Sequence, residues 1–269
     1  MAKSILVVPD IHGQIFWKEP VEKYIKQVDK VIFLGDYLDP YRDEGTTCSP
    51  QVVFDNLMDI IDLKRSYMDK VVLLKGNHDQ HYASEVFREF ACGSRCDTIN
   101  WSLYNAVFVR NRDLFRLVHL ELIRGTPYLF SHAGLTLNWI NKVNSNVWKL
   151  ADNMISIADP DIIERINALD DSDEGQKMLS IIGRNRTIIG GSKSGSVLWA
   201  DIEEHAIPDA PKAYGLNKVF QVFGHTKLNK EHDKIEFDNL AMVDSQQCFI
   251  IDENMKAHIM AIKEYEQKR

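Results

Sequence analysis

Short, largely apolar and β-branched runs recur along the chain, and each run is followed by a polar turn. The clearest runs cover residues 5–8, 31–34, 71–74, 128–130 and 219–223. Because the runs are short and lack an alternating polar face, they are typical of strands buried on both sides in an α/β sheet. We therefore predict an α/β fold in which each of these strands ends in a turn with polar side chains.

A helix is predicted between the second and third runs. Ser49 is a suitable N-cap, and Pro50 suits the first helical position, where a missing N–H costs no hydrogen bond. Val53, Leu57 and Ile60 recur at helical spacing and give the helix one face to pack on the sheet. Strand, helix and strand in this order predict a βαβ crossover, which places the polar turns at the carboxyl ends of parallel strands, where ligands bind in such sheets.

The remaining pattern predicts one domain spanning residues 1–269. Residues 136–182 lack strand runs, and Asp159 followed by Pro160 punctuates another helix there, so we predict a helical excursion from the core. Residues 240–262 contain short apolar runs that predict two or three antiparallel strands closing the sheet.

The composition narrows the class of protein. Of the 269 residues 45% are hydrophobic and 26% charged, with a net charge of −7, which excludes disordered and coiled-coil classes. No Lys/Arg-rich block indicates nucleic acid as a partner, and no apolar run approaches the ~20 residues that a membrane helix needs. The four cysteines are too scattered to predict disulfides, so we expect a cytoplasmic protein with reduced thiols.

Carboxylate, amide and imidazole side chains follow all five runs. In chain order they are Asp10 and His12, Asp36 and Asp39, Asn77 and His78, His132, and His225. One such side chain is usually a cap, but so many at one edge of a sheet would repel or stay unsatisfied without a cation. Mixed oxygen and imidazole ligands without thiolate favour Mn, Fe or Zn, and their number suits two ions bridged by a carboxylate.

The turns read, in order, Asp-x-His-Gly, Gly-Asp-x-x-Asp, Gly-Asn-His-Asp, Ser-His-Ala-Gly and Gly-His-Thr. In this order they resemble the calcineurin-like metallophosphoesterase superfamily. The turns at Asp10, Asp36 and His132, with Leu-Trp-Ala-Asp at 198–201, are most similar to its serine/threonine protein phosphatase branch, including bacterial and phage members. The resemblance spans residues 10–226 and implies a four-layer α/β/β/α sandwich of two mixed β-sheets flanked by helices.

The resemblance also implies a set of metal ligands. The first ion would be held by Asp10, His12 and Asp36, and the second by Asp36, Asn77, His132 and His225. We expect two divalent ions, with Mn as the first choice and Fe or Zn as the others. Such a pair activates a bridging water for in-line attack on phosphorus, and the resemblance makes His78 the acid that protonates the leaving group, oriented by Asp39.

The chain departs from the protein phosphatase pattern after Asp39. An arginine that grips the substrate phosphate is usual there, and Pro40 and Tyr41 stand in its place. Arg42, Arg184 and Arg186 are the candidate replacements.

These observations predict a metal-dependent hydrolase of phosphate monoesters, with a phosphoprotein or a nucleotide as the phosphorylated substrate. The first alternative is a hydrolase of dinucleoside polyphosphates such as diadenosine tetraphosphate, or a phosphodiesterase, using the same residues. Trp17, Tyr37 and Tyr41 are then candidates for stacking on a base. The remote alternative is a metal-binding scaffold without catalysis.

Overall fold

The computed structural model describes residues 3–41, 48–88, 95–184, 194–205, 210–228, 233–237 and 239–268. They form two compact units. The first unit comprises the described residues of Ala2–Arg116 and Ser245–Arg269, and the second those of Leu117–Asp244. Among the described helices, none combines the length and apolarity needed to cross a bilayer.

Strands and helices are numbered along the chain. The strands are β1 (Ser4–Val8), β2 (Lys30–Phe33), β3 (Val71–Leu74), β4 (Phe115–Arg116), β5 (Val118–Ile123), β6 (Thr126–Ser131), β7 (Phe220–Phe223), β8 (Ile235–Phe237), β9 (Leu240–Met242), β10 (Phe249–Asp252) and β11 (Met260–Ala261). The α-helices are α1 (Lys18–Tyr24), α2 (Pro50–Ser66), α3 (Asn77–Ala83), α4 (Glu85–Arg88), α5 (Trp101–Arg110), α6 (Leu137–Val143), α7 (Pro160–Asn167), α8 (Asp173–Leu179) and α9 (Ile262–Lys268). Short 3-10 helices cover Arg112–Leu114, Asp152–Met154, Ala168–Asp171, Ile202–Glu204 and Ala210–Lys218, and a π-helical turn covers Asn144–Trp148.

The first unit is built on a six-stranded mixed sheet in the order β11-β10-β1-β2-β3-β4. Strands β1 to β4 pair in parallel, and β10 runs antiparallel to β1 and to β11. The predicted helix is α2: the Ser49 side chain accepts a hydrogen bond from the Val52 N–H at 3.3 Å, and Val53, Leu57 and Ile60 are buried. Because α2 packs against β3 and connects β2 to it, the βαβ crossover is confirmed.

The second unit is built on a five-stranded mixed sheet in the order β5-β6-β7-β9-β8. Strands β6, β7 and β9 are parallel, and the edge strands β5 and β8 run antiparallel to their neighbours. Helices α6, α7 and α8 lie between β6 and β7 in sequence, and each begins at a residue whose side chain accepts from the helix backbone, Thr136, Asp159 and Ser172 respectively. Two mixed sheets with flanking helices confirm the α/β fold class.

One strand prediction is correct only in part. The expected antiparallel strands closing the sheet are present as β10 and β11 at the edge of the first unit's sheet, whereas β9 belongs to the second unit, where it pairs in parallel with β7. Apolar runs of two to four residues, as these strands are, carry no information about pairing direction or about which sheet they join.

Candidate active site

Three polar turns meet at one edge of the first unit's sheet because β1, β2 and β3 are parallel neighbours. Backbone hydrogen bonds join the first turn to the second: the His12 N–H donates to the Asp36 carbonyl at 2.7 Å, and the Gly13 N–H donates to the Tyr37 carbonyl at 3.0 Å. The backbones of the two turns are therefore fixed against each other before any ligand binds.

The buried Asp79 carboxylate joins the second turn to the third. It accepts from the backbone N–H groups of Asp36 at 2.7 Å, Tyr37 at 2.9 Å and Gly76 at 2.8 Å. Burial raises the pKa of Asp79 to about 7, although the three N–H donors favour its ionised form. Gly76 is required where the turns touch, because a Cβ there would lie 2.0 Å from Asp36 Oδ1.

Asp10, His12 and Asp36 form a buried cluster in which one ligand atom of each residue lies within 4.8 Å of the others. His12 Nε2 is 3.5 Å from Asp36 Oδ2, while His12 Nδ1 lies 3.0 Å from the Leu38 carbonyl and donates to it. This leaves Nε2 with its lone pair facing the carboxylates, and burial lowers the pKa of His12, which favours the neutral ring that binds metals. Two carboxylates and an oriented imidazole therefore fit a divalent ion.

Three residues of this region have left-handed backbone conformations. The φ angles are 44° at His12, 51° at Asp36 and 59° at Asp39. For residues with a Cβ this conformation costs roughly 1–2 kcal/mol each, and such strain concentrates at functional sites. The hydrogen bonds between the turns hold these residues in place.

A hydrogen-bonded chain of side chains lies beside the cluster. His78 Nδ1 is 2.7 Å from Asp39 Oδ2, and the Tyr82 hydroxyl donates to Asp39 Oδ1 at 2.5 Å. The Tyr82 oxygen in turn accepts from the Asp97 N–H at 2.6 Å. Burial raises the pKa of Asp39 to about 6, and burial lowers the pKa of His78, with the charge of Arg95 acting in the same direction.

His78 is anchored at the start of α3, directly after the buried Asn77. Its backbone N–H donates to Asp36 Oδ1 at 2.9 Å. Its side chain is 11% exposed whereas that of Asp39 is 1% exposed, so the imidazole of this pair is the partner that solvent or a ligand reaches.

The second unit brings His132 and His225 together. They follow the parallel neighbours β6 and β7, and the Gly224 N–H donates to the His132 carbonyl at 2.8 Å. His132 Nε2 lies 3.0 Å from His225 Nδ1, both rings are buried, and His225 has a φ of 70°. Two imidazoles at this distance are suited to share a metal, since either ring nitrogen is a common metal ligand.

Of the three predicted phosphate-binding arginines, the described part of the structure includes one, Arg184. Arg42 and Arg186 lie outside the described residues. Arg184 belongs to the second unit, where it is exposed and its backbone N–H donates to Glu204 Oε1 at 2.8 Å.

Sequence reasoning missed Arg95. Its guanidinium carbon lies 3.6 Å from the centre of the Tyr41 ring, and its Nε–H donates to the Asp39 carbonyl at 3.2 Å. No motif surrounds Arg95, and 54 positions separate it from Tyr41, so only the folded chain brings the two residues together. The position of Tyr82 does indicate that it lies near the acid, because it is one turn of α3 beyond His78.

Two of the aromatic residues considered for base stacking are buried in the core. Trp17 donates its ring N–H to Asn56 Oδ1 at 3.0 Å, and Tyr37 donates its hydroxyl proton to the Leu74 carbonyl at 2.8 Å. Tyr41 is half-buried, and Arg95 lies over its ring.

Comparisons with known proteins identify the family and the fold of the chain. The model of the calcineurin-like phosphoesterase family matches residues 3–226, and the chain belongs to that family. A search among curated proteins found no significant match. A protein serine/threonine phosphatase from Saccharomyces cerevisiae, described as similar to human phosphatase PP5, is 17% identical and aligns over 96% of this chain and 78% of its own with a TM-score of 0.51. At that identity the similarity shows a shared fold.

Proposed function

We propose that this protein hydrolyses phosphate monoesters with the help of two divalent metal ions. The observation that carries the proposal is the His78–Asp39 pair, bonded at 2.7 Å and placed beside the buried cluster of Asp10, His12 and Asp36. A proton donor next to a divalent-ion site is the combination that phosphate ester hydrolysis needs, because charge develops on phosphate oxygens while the leaving oxygen must be protonated.

Membership of the family supports six residues as the metal ligands. They are Asp10, His12, Asp36, Asn77, His132 and His225. Bound there, the ions would supply positive charge for the phosphate oxygens and lower the pKa of a water. Carboxylate, imidazole and amide ligands without thiolate favour Mn, with Fe and Zn as the other candidates.

His78 acts as the general acid. The Asp39 carboxylate accepts the Nδ1 proton, so Nε2 presents the transferable proton, and the negative charge of the carboxylate opposes the burial that lowers the pKa of His78. The Tyr82 hydroxyl and the backbone bond from Asp97 fix the carboxylate plane, so the ring does not need to reorient when the leaving group departs.

The substrate class is a phosphomonoester on a protein or a small molecule. The yeast protein of similar fold is named a serine/threonine phosphatase, which makes a phosphoprotein the first class to test. Dinucleoside polyphosphate hydrolysis is less well supported, because Trp17 and Tyr37 are buried and Tyr41 has Arg95 over its ring. Among the described residues no cysteine forms a disulfide, which suits the reducing cytoplasm that we propose as the location.

Hydrolysis of a substrate panel tests the proposal. The panel is p-nitrophenyl phosphate, bis-p-nitrophenyl phosphate, a phosphopeptide and diadenosine tetraphosphate, each assayed with Mn²⁺ and after chelation. We expect metal-dependent turnover with the monoesters preferred. Preference for diadenosine tetraphosphate would favour the nucleotide alternative, and no turnover by fully metallated protein would favour a scaffold.

A further inference from the structure

We propose that Arg95 binds the phosphate group of the substrate and that Tyr41 positions it, which compensates for the arginine that this chain lacks after Asp39. The inference rests on the proposed function, since it assigns a residue to the phosphate of the same reaction. It assigns that role to a residue from a different part of the chain than Arg42, Arg184 or Arg186.

The Arg95 side chain is held in place at two points. Its guanidinium lies 3.6 Å from the centre of the Tyr41 ring, and its Nε–H donates to the Asp39 carbonyl at 3.2 Å. The Arg95 and Tyr41 side chains are half-buried, and Asp39 is buried. A guanidinium fixed in this way loses less conformational freedom when it binds an anion than a free side chain does.

The fixed guanidinium lies beside His12, a proposed metal ligand, and near His78, the proposed acid. Arg95 Nη2 lies 3.4 Å from His12 Nδ1, the Tyr41 ring meets the His12 ring edge-on at 4.8 Å, and the His12 ring lies 5.3 Å from that of His78. Arg95 therefore lies next to His12 and on the side of the site where His78 stands, and in the proposal its outer N–H groups extend from there to a phosphate bound between the metal cluster and the general acid.

The outer nitrogens of Arg95 still have donor capacity. When His12 Nε2 faces the metal, the proton on Nδ1 is donated to the Leu38 carbonyl at 3.0 Å, so Nδ1 cannot also accept from Arg95 Nη2. Among the residues that the structure describes, no carboxylate forms an ion pair with Arg95. Although its charge acts on the buried Asp36 and Asp39, the guanidinium is paired directly with no carboxylate of the described residues, so its donors are suited to bind an anion, and its planar fork matches two phosphate oxygens.

A second arginine of the first unit provides a matched control. Arg88 lies over Trp101 at 4.3 Å, so it makes the same kind of stacking contact. It is exposed, however, and its guanidinium is 3.9 Å from the Glu85 carboxylate. Arg88→Ala removes a stacked cation of equal charge without touching His12 or His78.

Calorimetric binding of inorganic phosphate to the Mn²⁺-loaded protein tests the proposal. We expect Arg95→Ala to weaken phosphate binding about 10- to 100-fold, which is the effect of losing hydrogen bonds to a charged group, and Arg88→Ala to leave it unchanged. Arg95→Lys keeps the charge but not the fork, so its affinity should lie between the two. Tyr41→Ala should weaken binding in the same direction, whereas Tyr41→Phe keeps the ring and should not.

Metal content and hydrolysis are measured on the same samples. Unchanged metal content in the Arg95 variants, with a raised KM for p-nitrophenyl phosphate, is the expected result. If Arg95→Ala binds phosphate as tightly as the parent while the parent hydrolyses monoesters, the assignment of Arg95 is wrong and the proposed function stands. If the metallated parent neither binds phosphate nor hydrolyses monoesters, both proposals are wrong.

Discussion

Replacing Asp39 with asparagine isolates the contribution of one carboxylate charge. The Tyr82 hydroxyl donates to Asp39 Oδ1 and accepts the Asp97 N–H, and a donor in this position favours an oxygen of the side chain at position 39. In Asp39→Asn the amide oxygen is therefore held by Tyr82, and the amide N–H₂ faces His78 Nδ1. That ring nitrogen is then favoured as an acceptor, which stabilises the neutral ring and weakens His78 as an acid.

The size of the effect follows from the bond that is lost. A hydrogen bond to a charged group contributes about 1.5–3 kcal/mol, so we expect kcat for phenyl phosphate to fall about 10- to 100-fold in Asp39→Asn. His78→Asn removes the acid itself and should lower kcat by roughly 10²–10⁴-fold. Both variants should keep the parent's metal content, because neither side chain is a proposed ligand.

The leaving group and a second substitution make the test specific. p-Nitrophenolate departs without needing a proton, so both variants should lose much less activity on p-nitrophenyl phosphate than on phenyl phosphate. Tyr82→Phe alone should have a small effect. Added to Asp39→Asn, it lets the amide turn its oxygen to His78, and part of the activity should return. Equal losses on the two substrates, or no recovery in the double variant, would refute the proposed acid and its orientation by Tyr82.

Three further predictions concern stability and metal binding. A Cβ on Gly134 (φ +83°) would lie 2.4 Å from His205 Cε1, whereas a Cβ on Gly125 (φ +79°) would have nothing within 4 Å. Gly125→Ala should therefore lower the free energy of unfolding by about 1 kcal/mol, and Gly134→Ala should lower it by about 1–3 kcal/mol more. Equal free energies of unfolding for the two variants in urea titrations would contradict this prediction. Burial lowers the pKa of His205 to about 4, below the unfolded value near 6.5, so the unfolded state binds more protons in this range. The free energy of unfolding should therefore fall by about 3 kcal/mol between pH 6.5 and pH 4. His205→Gln, whose amide can keep the bond to the Ala133 carbonyl, should lose less stability over that range, and an unchanged pH dependence in this variant would exclude His205 as the cause. Asp36→Asn removes the carboxylate shared by both proposed ions and should lower the Mn²⁺ content and abolish the Mn²⁺-dependent rise in Tm, whereas full metal content would contradict its role as a ligand.

Local patterns predicted the parts of the molecule that local chemistry determines. Ser49 and Pro50 mark the start of α2 because capping depends on neighbouring residues alone. Asp10, His12 and Asp36 were predicted to lie together because parallel strands end at one edge, and their ligand atoms do lie within 4.8 Å of one another. The His78–Asp39 contact was expected from the family resemblance and is present at 2.7 Å.

Contacts between distant segments were not predictable. Asp79 accepts from backbone N–H groups of the turns after β2 and β3, and the sequence does not show which N–H groups a carboxylate will meet. Arg95 reaches Tyr41 only through the fold. The sequence also left open whether Trp17 and Tyr37, which lie close to the polar turns, face a substrate or the core, and in the structure both rings are buried in the core.

A Mn²⁺ titration of metal-depleted protein is the most direct test of the proposed hydrolysis with two metal ions. Bound metal and the initial rate of phosphomonoester hydrolysis are measured together at each addition. We predict no hydrolysis after chelation and a rate that rises with bound Mn²⁺ until two ions are held per chain. Undiminished hydrolysis by the metal-free protein, or no hydrolysis by the protein carrying two ions, would contradict the proposed two-metal function.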